Sequence, residues 1–220
     1  MPLTATPEQI KAHQQELEKG KITPHNLPQC PRCNVDSARF TLHAFRERRF
    51  LVIIKMIVEA ISSTLARFRC VGCGKTFTDY PDFAIPHKHY TRPTIMKFTS
   101  NYVESENKTY EKALMAGQHV PGYPEGNRTM AASTIHRWVT TLGQMDQTRQ
   151  KALALLLQKS PVSSICRDLA QLTISGFKYK SQRRRALLLG CRSLLIIEPL
   201  FQSAFKSSIF TKLAIRCAFG

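Results

Sequence analysis

"RFRCVGCGKTF", residues 67–77, sets Cys70 and Cys73 in a Cys-x-x-Cys spacing with Gly74 directly behind them. Such a pair can be a redox couple, half of a metal site, or two thiols that lie close by chance. A second pair, Cys30 and Cys33 in "CPRC", lies upstream, with 36 residues between Cys33 and Cys70. Zinc takes four ligands in a tetrahedron and thiolates suit it, so two Cys-x-x-Cys turns facing each other close a structural site. The spacer exceeds the roughly 15–20 residues of compact four-cysteine sites. It leaves room for a hairpin and an added strand. Gly74 suits the tight backbone turn of a knuckle, where amides point at sulfur. Arg32 and Lys75 would offset the negative charge of a four-thiolate zinc centre.

A thioredoxin-like couple needs its Cys-x-x-Cys at a helix start inside a βαβ unit. Neither pair is followed by a helical pattern. Four reduced, unliganded cysteines remain the plain alternative. Cys166, Cys191 and Cys217 lie in apolar, helical surroundings and read as small buried hydrophobes. His87 and His89 in "PHKHY" read as linker residues.

β-prone sequence flanks the pairs: "RFTLHAF" at 39–45, "RRFLVIIKMIV" at 48–58 and "TLARFRC" at 64–70. The expected fold class is α+β, a small N-terminal four-cysteine zinc ribbon of antiparallel strands followed by a mostly helical region with a helix-turn-helix. The expected divisions are a polar segment at 1–27, the ribbon at 28–83, the helix-turn-helix at 84–145 and a basic helical region at 146–220. A short helix at 7–19 starts at Thr6 and Pro7. Three prolines make 81–93 an extended linker. Helices are expected near 94–104, 109–116, 133–143 and 145–159. Ser160-Pro161 and Ser181 start further helices, and Pro199 breaks the last.

The chain carries 32 Lys and Arg against 15 Asp and Glu, a net charge of +17, which favours a polyanionic partner. Nucleic acid is the commonest, because neutralising phosphates releases counterions. Residues 147–220 hold 13 Lys and Arg against Asp168 and Glu198 alone, with the densest patch in "KYKSQRRR" at 178–185. The N-terminus shows no apolar stretch behind a basic start. The most apolar runs, 50–61 and 186–197, are 12 residues each and too short to span a bilayer. These features point to a cytoplasmic chain with no membrane partner.

"STIHRWVTTLG" at 133–143 places Ile135, Trp138, Val139 and Leu142 on one apolar stripe. Ser133 reads as its N-cap and Gly143 as its C-terminal stop. The other face carries Thr134, His136, Arg137, Thr140 and Thr141 without an acid. Such a face suits the major groove, where Arg reads guanine and Thr meets phosphate or a thymine methyl. Ile95, Phe98 and Tyr102 line one side of the helix before, and Tyr110, Ala113 and Leu114 one side of the next, which ends at Gly117. The turn at 117–132 is long for a helix-turn-helix. It holds either an insertion or the first residues of the last helix.

"CPRC", "RFRCVGCGKTFTDYPDF", "PHKHYTRPT" and "STIHRWVTTLG" together resemble the N-terminal DNA-binding region of bacterial insertion-sequence transposases and small stand-alone relatives of it. The resemblance covers roughly residues 28–145. It implies a structural Zn2+ on Cys30, Cys33, Cys70 and Cys73, and binding of terminal repeats in double-stranded DNA. Thr134, His136, Arg137 and Thr140 would read bases. Arg46, Arg48, Arg49, Arg67, Arg69, Arg92, Arg183, Arg184 and Arg185 would meet phosphate. It further implies a bacterial, nucleoid-associated protein, with a homodimer or a separate catalytic transposase subunit as partners. The family cuts DNA with three acids on a later RNase H-like domain. Here Asp146, Asp168 and Glu198 are the acids that follow, in helical sequence too short for that fold, so a non-catalytic role is expected. Asp146 and Asp168 read as helix-end residues. A transposase with strand-transfer activity, and an RNA-binding or protein-assembly module, are the other readings.

Overall fold

A computed structural model describes residues 7–20, 22–24, 27–105, 109–115, 119–172 and 179–213. Thr6, Gly117, Lys178 and Cys217, which the sequence reading uses, lie outside the described residues. The chain divides into two compact units, one formed from Met1–Thr94 with Phe210–Gly220 and the other from Ile95–Ile209.

The first unit is built on a long hairpin. Strand β1 (Thr41–Ile54) pairs antiparallel with β2 (Ile57–Arg69), and a short β3 (Thr76–Thr78) adds to β2, giving the order β1-β2-β3. A bulge interrupts the β1–β2 register between Leu42 and Ala44. The hairpin falls in the spacer between the cysteine pairs, but the added strand follows the second pair. The reversal sits at Lys55 and Met56, with φ of 47° and 66°. Positive φ at both central residues is the geometry of a two-residue hairpin turn whose twist matches the strands. The sequence itself reads as one β segment straight through this point, because Lys-Met carries no turn signal.

Successive residues of a strand face opposite sides of the sheet, and both sides of this hairpin are used. Leu65 joins Phe50 and Val52 in a cluster with Ile10, Phe83 and Ala84. Ala66 and Phe68 join Leu27, Phe40, Phe77, Cys30 and Cys70 on the other side. Helix α1 (Pro7–Glu18) covers the first cluster through Ile10, and Gln14 Oε1 accepts from the Thr64 N–H at 2.9 Å. The segment 81–93 is no extended linker. Phe83, Ala84, Ile85 and Tyr90 are buried, and the Leu51 N–H donates to His89 O while Leu51 O accepts from the Thr91 N–H. Its apolar residues outweigh its three prolines, so it packs along β1 as part of the core.

Burial, reinforced by the neighbouring Asp82 charge, pushes the Asp79 carboxyl up to about 7. An unfolded Asp ionises near 3.9, so between about pH 4 and 7 the folded state holds more protons than the unfolded one. This group's contribution therefore falls as pH rises through that window. Asp79→Asn should leave stability nearly unchanged at pH 4 and raise it progressively toward pH 7.5. Paired urea titrations of both proteins across that range measure the difference, which cancels effects common to both.

The second unit is helical. Helix α2 (Arg92–Glu104) enters it from Ile95 onward, and α3 (Tyr110–Leu114), α4 (Ala132–Gly143), α5 (Asp146–Lys159), α6 (Ser164–Gln171) and α7 (Lys180–Phe205) follow. A one-turn α8 (Ile209–Lys212) closes the described chain. Ile95, Phe98 and Tyr102 are buried as one side of α2. Ile135, Trp138, Val139 and Leu142 bury the stripe of α4. Between α3 and α4 the chain makes a small hairpin, with Tyr123 N–H donating to Arg128 O and Met130 N–H to Pro121 O. The long stretch before α4 is thus mostly this hairpin, and of residues 129–132 only Ala132 belongs to the helix.

Several helix limits differ from expectation. Helix α4 begins at Ala132, so Ser133 lies inside its first turn and the cap is Ala131 without a side-chain bond. Buried Met130, anchored on Pro121, fixes this start. At the other end Gln144 keeps right-handed helical angles, so Gly143 is not a left-handed stop. A Cβ on Gly143 would lie 2.3 Å from Leu187 O, so the glycine lets α4 touch the α7 backbone. Ser160-Pro161 does not start α6. Ser163 does, accepting from the Cys166 N–H. Helix α7 runs through Pro199 without a break. Pro199 is exposed, so the carbonyl it frees at Leu195 can meet water, while buried Leu194, Ile197 and Phe201 hold both sides of it in place.

With 26 residues, α7 is the one helix among the described residues with the length and hydropathy to cross a membrane. The helix extends beyond the 12-residue apolar run 186–197 at both ends. One face of α7 packs on α4 and α5 through Ala186, Gly190, Cys191, Leu194, Ile197 and Phe201, which makes it a core helix of this unit. Arg149 is fully buried, bonded to Asp146 and to the carbonyls of Leu169 and Leu172 at the end of α6. Glu198, also buried, accepts from Ser208 Oγ and from the Ile209 N–H, capping α8.

Candidate metal centre

The two cysteine turns are near copies of each other. In the first, the Cys30 N–H donates to Val35 O and the Asn34 N–H to Cys30 O, each at 2.9 Å. In the second, the Cys70 N–H donates to Lys75 O and the Gly74 N–H to Cys70 O, again at 2.9 Å. The residue after each second cysteine is left-handed, Asn34 at φ 57° and Gly74 at φ 70°. Gly74 was legible for this role. Asn34 was missed, although asparagine is the non-glycine residue that tolerates this conformation best.

The turns face each other across the end of β2. Cys30 Sγ lies 3.5 Å from Cys73 Sγ, and Cys33 Sγ lies 3.4 Å from Cys70 Sγ. Each close pair takes one sulfur from each turn. All four sulfurs lie within 4.8 Å of one another. A tetrahedral site with metal–sulfur bonds near 2.3 Å needs sulfurs about 3.8 Å apart, so the donor set fits one thiophilic metal ion. Gly72 permits this approach. A Cβ there would lie 2.9 Å from Val35 Cγ2 and 3.1 Å from Cys33 Sγ.

Electrostatics separate the thiols. Burial works against the Cys30 thiolate, but the Arg32 and Cys33 N–H groups and the Cys73 and Cys33 thiols donate to it and bring it down to about 7. The Val35 N–H favours the Cys33 thiolate, yet burial and the neighbouring sulfurs push that thiol up to about 12. Four thiols this close cannot all ionise without a cation between them. Cys166 and Cys191 are elsewhere and buried, and burial alone pushes Cys191 up to about 12.

Among the described residues these four cysteines form the one group of three or more Cys, His, Asp or Glu with converging ligand atoms. Asp146 is held by Arg149, Glu198 by the start of α8, and Asp168 lies exposed on α6.

The basic residues fall in both units. Arg67 and Arg69 share one face of β2, opposite buried Phe68. Arg67 Nη2 donates to Thr76 Oγ1 at 2.7 Å, and Arg69 lies over Gly74. Arg92 Nε donates to Asp82 O. Arg46 and Arg49 are exposed on β1, whereas Arg48 bonds Tyr80 Oη and Lys88 O and stacks over the Tyr80 ring. In the second unit His136 and Arg137 are exposed on α4, with His136 edge-on to the Tyr110 ring, while Thr134 and Thr140 are half-buried. Arg183, Arg184 and Arg185 are exposed at the start of α7, and Arg184 donates to Tyr102 Oη at 3.0 Å.

Residues 30–138 match a family described as a domain of unknown function, DUF6431. The matched span opens on Cys30 of the candidate metal site and closes on Trp138, in the buried stripe of α4. No curated protein and no solved structure matches the chain.

Proposed function

We propose that the chain is a zinc-binding protein that recognises double-stranded DNA, related to the DNA-binding regions of transposases and itself non-catalytic. Zinc is the metal favoured by a tetrahedral set of four thiolates in strand-turn knuckles. It would be structural, since all four positions are filled by protein ligands. The observation that carries the DNA reading is α4. Its apolar stripe is fully buried, and its outward side offers His136 and Arg137 with no acid beside them. In this reading α3 and α4 form a helix-turn-helix with the hairpin inserted in its turn, and α4 enters the major groove. Arg137 reads a base, and Arg67 and Arg69 of β2 with Arg183 and Arg184 at the start of α7 meet phosphate. The charge of +17 supplies the attraction that any such interface needs.

The test is fluorescence anisotropy on a duplex selected from a random pool. Arg137→Ala should weaken binding by roughly tenfold or more and relax the preference at one position, the cost of a lost bidentate base contact. Raising salt should weaken wild-type binding steeply. Unchanged affinity and sequence preference in Arg137→Ala would remove α4 from the interface.

A further inference from the structure

We propose that the exposed stripe of α7 is a docking site for an acidic amphipathic helix of a partner protein. Arg185, Leu189, Arg192 and Ile196 are all exposed and recur at intervals of four, three and four residues. That is the period of a helix–helix seam. Leu189 is 42 % and Ile196 37 % exposed, on the side of α7 away from its buried face. Beside the stripe runs a groove of about 460 Å³, lined by Val103, Arg184, Arg185, Leu188, Leu189 and Arg192. Its wall is held in place, because Arg184 is tied to Tyr102, which stacks on Tyr110 at 4.4 Å between ring centres.

The chemistry selects the occupant. The stripe alternates guanidinium and aliphatic groups, so it asks for carboxylates and apolar side chains together. Helix α7 has no carboxylate to offer, since its one acid, Glu198, is buried and engaged at α8. A second copy packed antiparallel would set Leu189 against Arg192 and Arg185 against Ile196. That arrangement buries guanidinium groups without an acid, which is costly. Nucleic acid would satisfy the arginines but leave Leu189 and Ile196 against phosphate and sugar. A helix with Leu or Ile on one face and Glu or Asp along both margins meets both needs, as in helix-in-groove recognition. The inference does not depend on the DNA reading.

The probe is a fluorescein-labelled synthetic helix of about 20 residues, long enough to be helical, with Leu at the seam and Glu at its margins. The full-length chain should bind it saturably, and Leu189→Ser/Ile196→Ser should bind roughly tenfold more weakly through the loss of two apolar anchors. Arg185→Glu/Arg192→Glu should exchange preference to the same peptide with Lys at its margins. Duplex DNA affinity of Leu189→Ser/Ile196→Ser should be unchanged, which keeps this result distinct from the DNA reading. Absent binding, or binding that ignores both paired variants, would overturn the proposal. So would phosphatidylserine vesicles that bind tighter than the peptide through Leu189 and Ile196, or self-association abolished by Leu189→Ser/Ile196→Ser.

Discussion

Removing the metal, with a chelator or by Cys70→Ser, is expected to unfold the knuckle end of the hairpin unit. The core on that side of the sheet consists of seven buried residues, two of which, Cys30 and Cys70, are proposed ligands. Without a cation nothing joins the four sulfurs of the two turns, and Phe40, stacked on Phe77 at 5.3 Å, loses the support of both turns. Structural zinc contributes on the order of 10 kcal/mol to small domains that depend on it, more than a core this size can replace. Hydrogen exchange reads the result. The amides of Cys30, Asn34, Cys70 and Gly74, now bonded within the knuckles, should lose protection together. Those of α4 and α5 report separately on the helical unit. Retained protection of the four knuckle amides in the chelated protein would show that the turns hold themselves.

Gly143→Ala should destabilise the helical unit by about 3 kcal/mol, at the upper end of the usual cost of overpacking. In an unconstrained helix the same change stabilises, by roughly 0.5–1 kcal/mol, because alanine is the better helix former. The sign alone therefore reports on packing. The added Cβ would stand 2.3 Å from Leu187 O and 2.9 Å from Leu187 C and Cα, all backbone atoms that no rotamer change can move. Helices α4 and α7 must separate, loosening Trp138, Val139 and Leu142 against α7. Gly122→Ala is the control, since its Cβ would meet nothing closer than Arg128 O at 3.7 Å. Urea denaturation of both variants measures the difference. A neutral or stabilising Gly143→Ala would mean that α4 and α7 do not touch at this point.

The features legible in the sequence are those whose chemistry is local. Two Cys-x-x-Cys pairs with Gly74 announce two knuckles that must meet, and they do. The spacing of Ile135, Trp138, Val139 and Leu142 announces a buried stripe, and it is buried. What escaped depends on partners distant in sequence. Lys55 and Met56 adopt a turn that asparagine and glycine prefer, because the register of two long strands demands it. Pro199 sits inside a helix, because packing on both sides of it outweighs the hydrogen bond it removes. Gly143 reads as a helix stop until Leu187, 44 residues later, comes to rest on it. Residues 81–93 read as a linker by their prolines, yet Phe83 and Tyr90 carry them into the core. Gly72 and Asn34 shape the four-cysteine cluster, but only the facing turn reveals why.

Native mass spectrometry of the purified full-length chain, with elemental analysis of the same sample, tests the central claim most directly. One zinc per chain, lost together with the folded knuckles in Cys70→Ser, is the predicted result. A folded chain free of metal, with all four thiols open to alkylation, would contradict it.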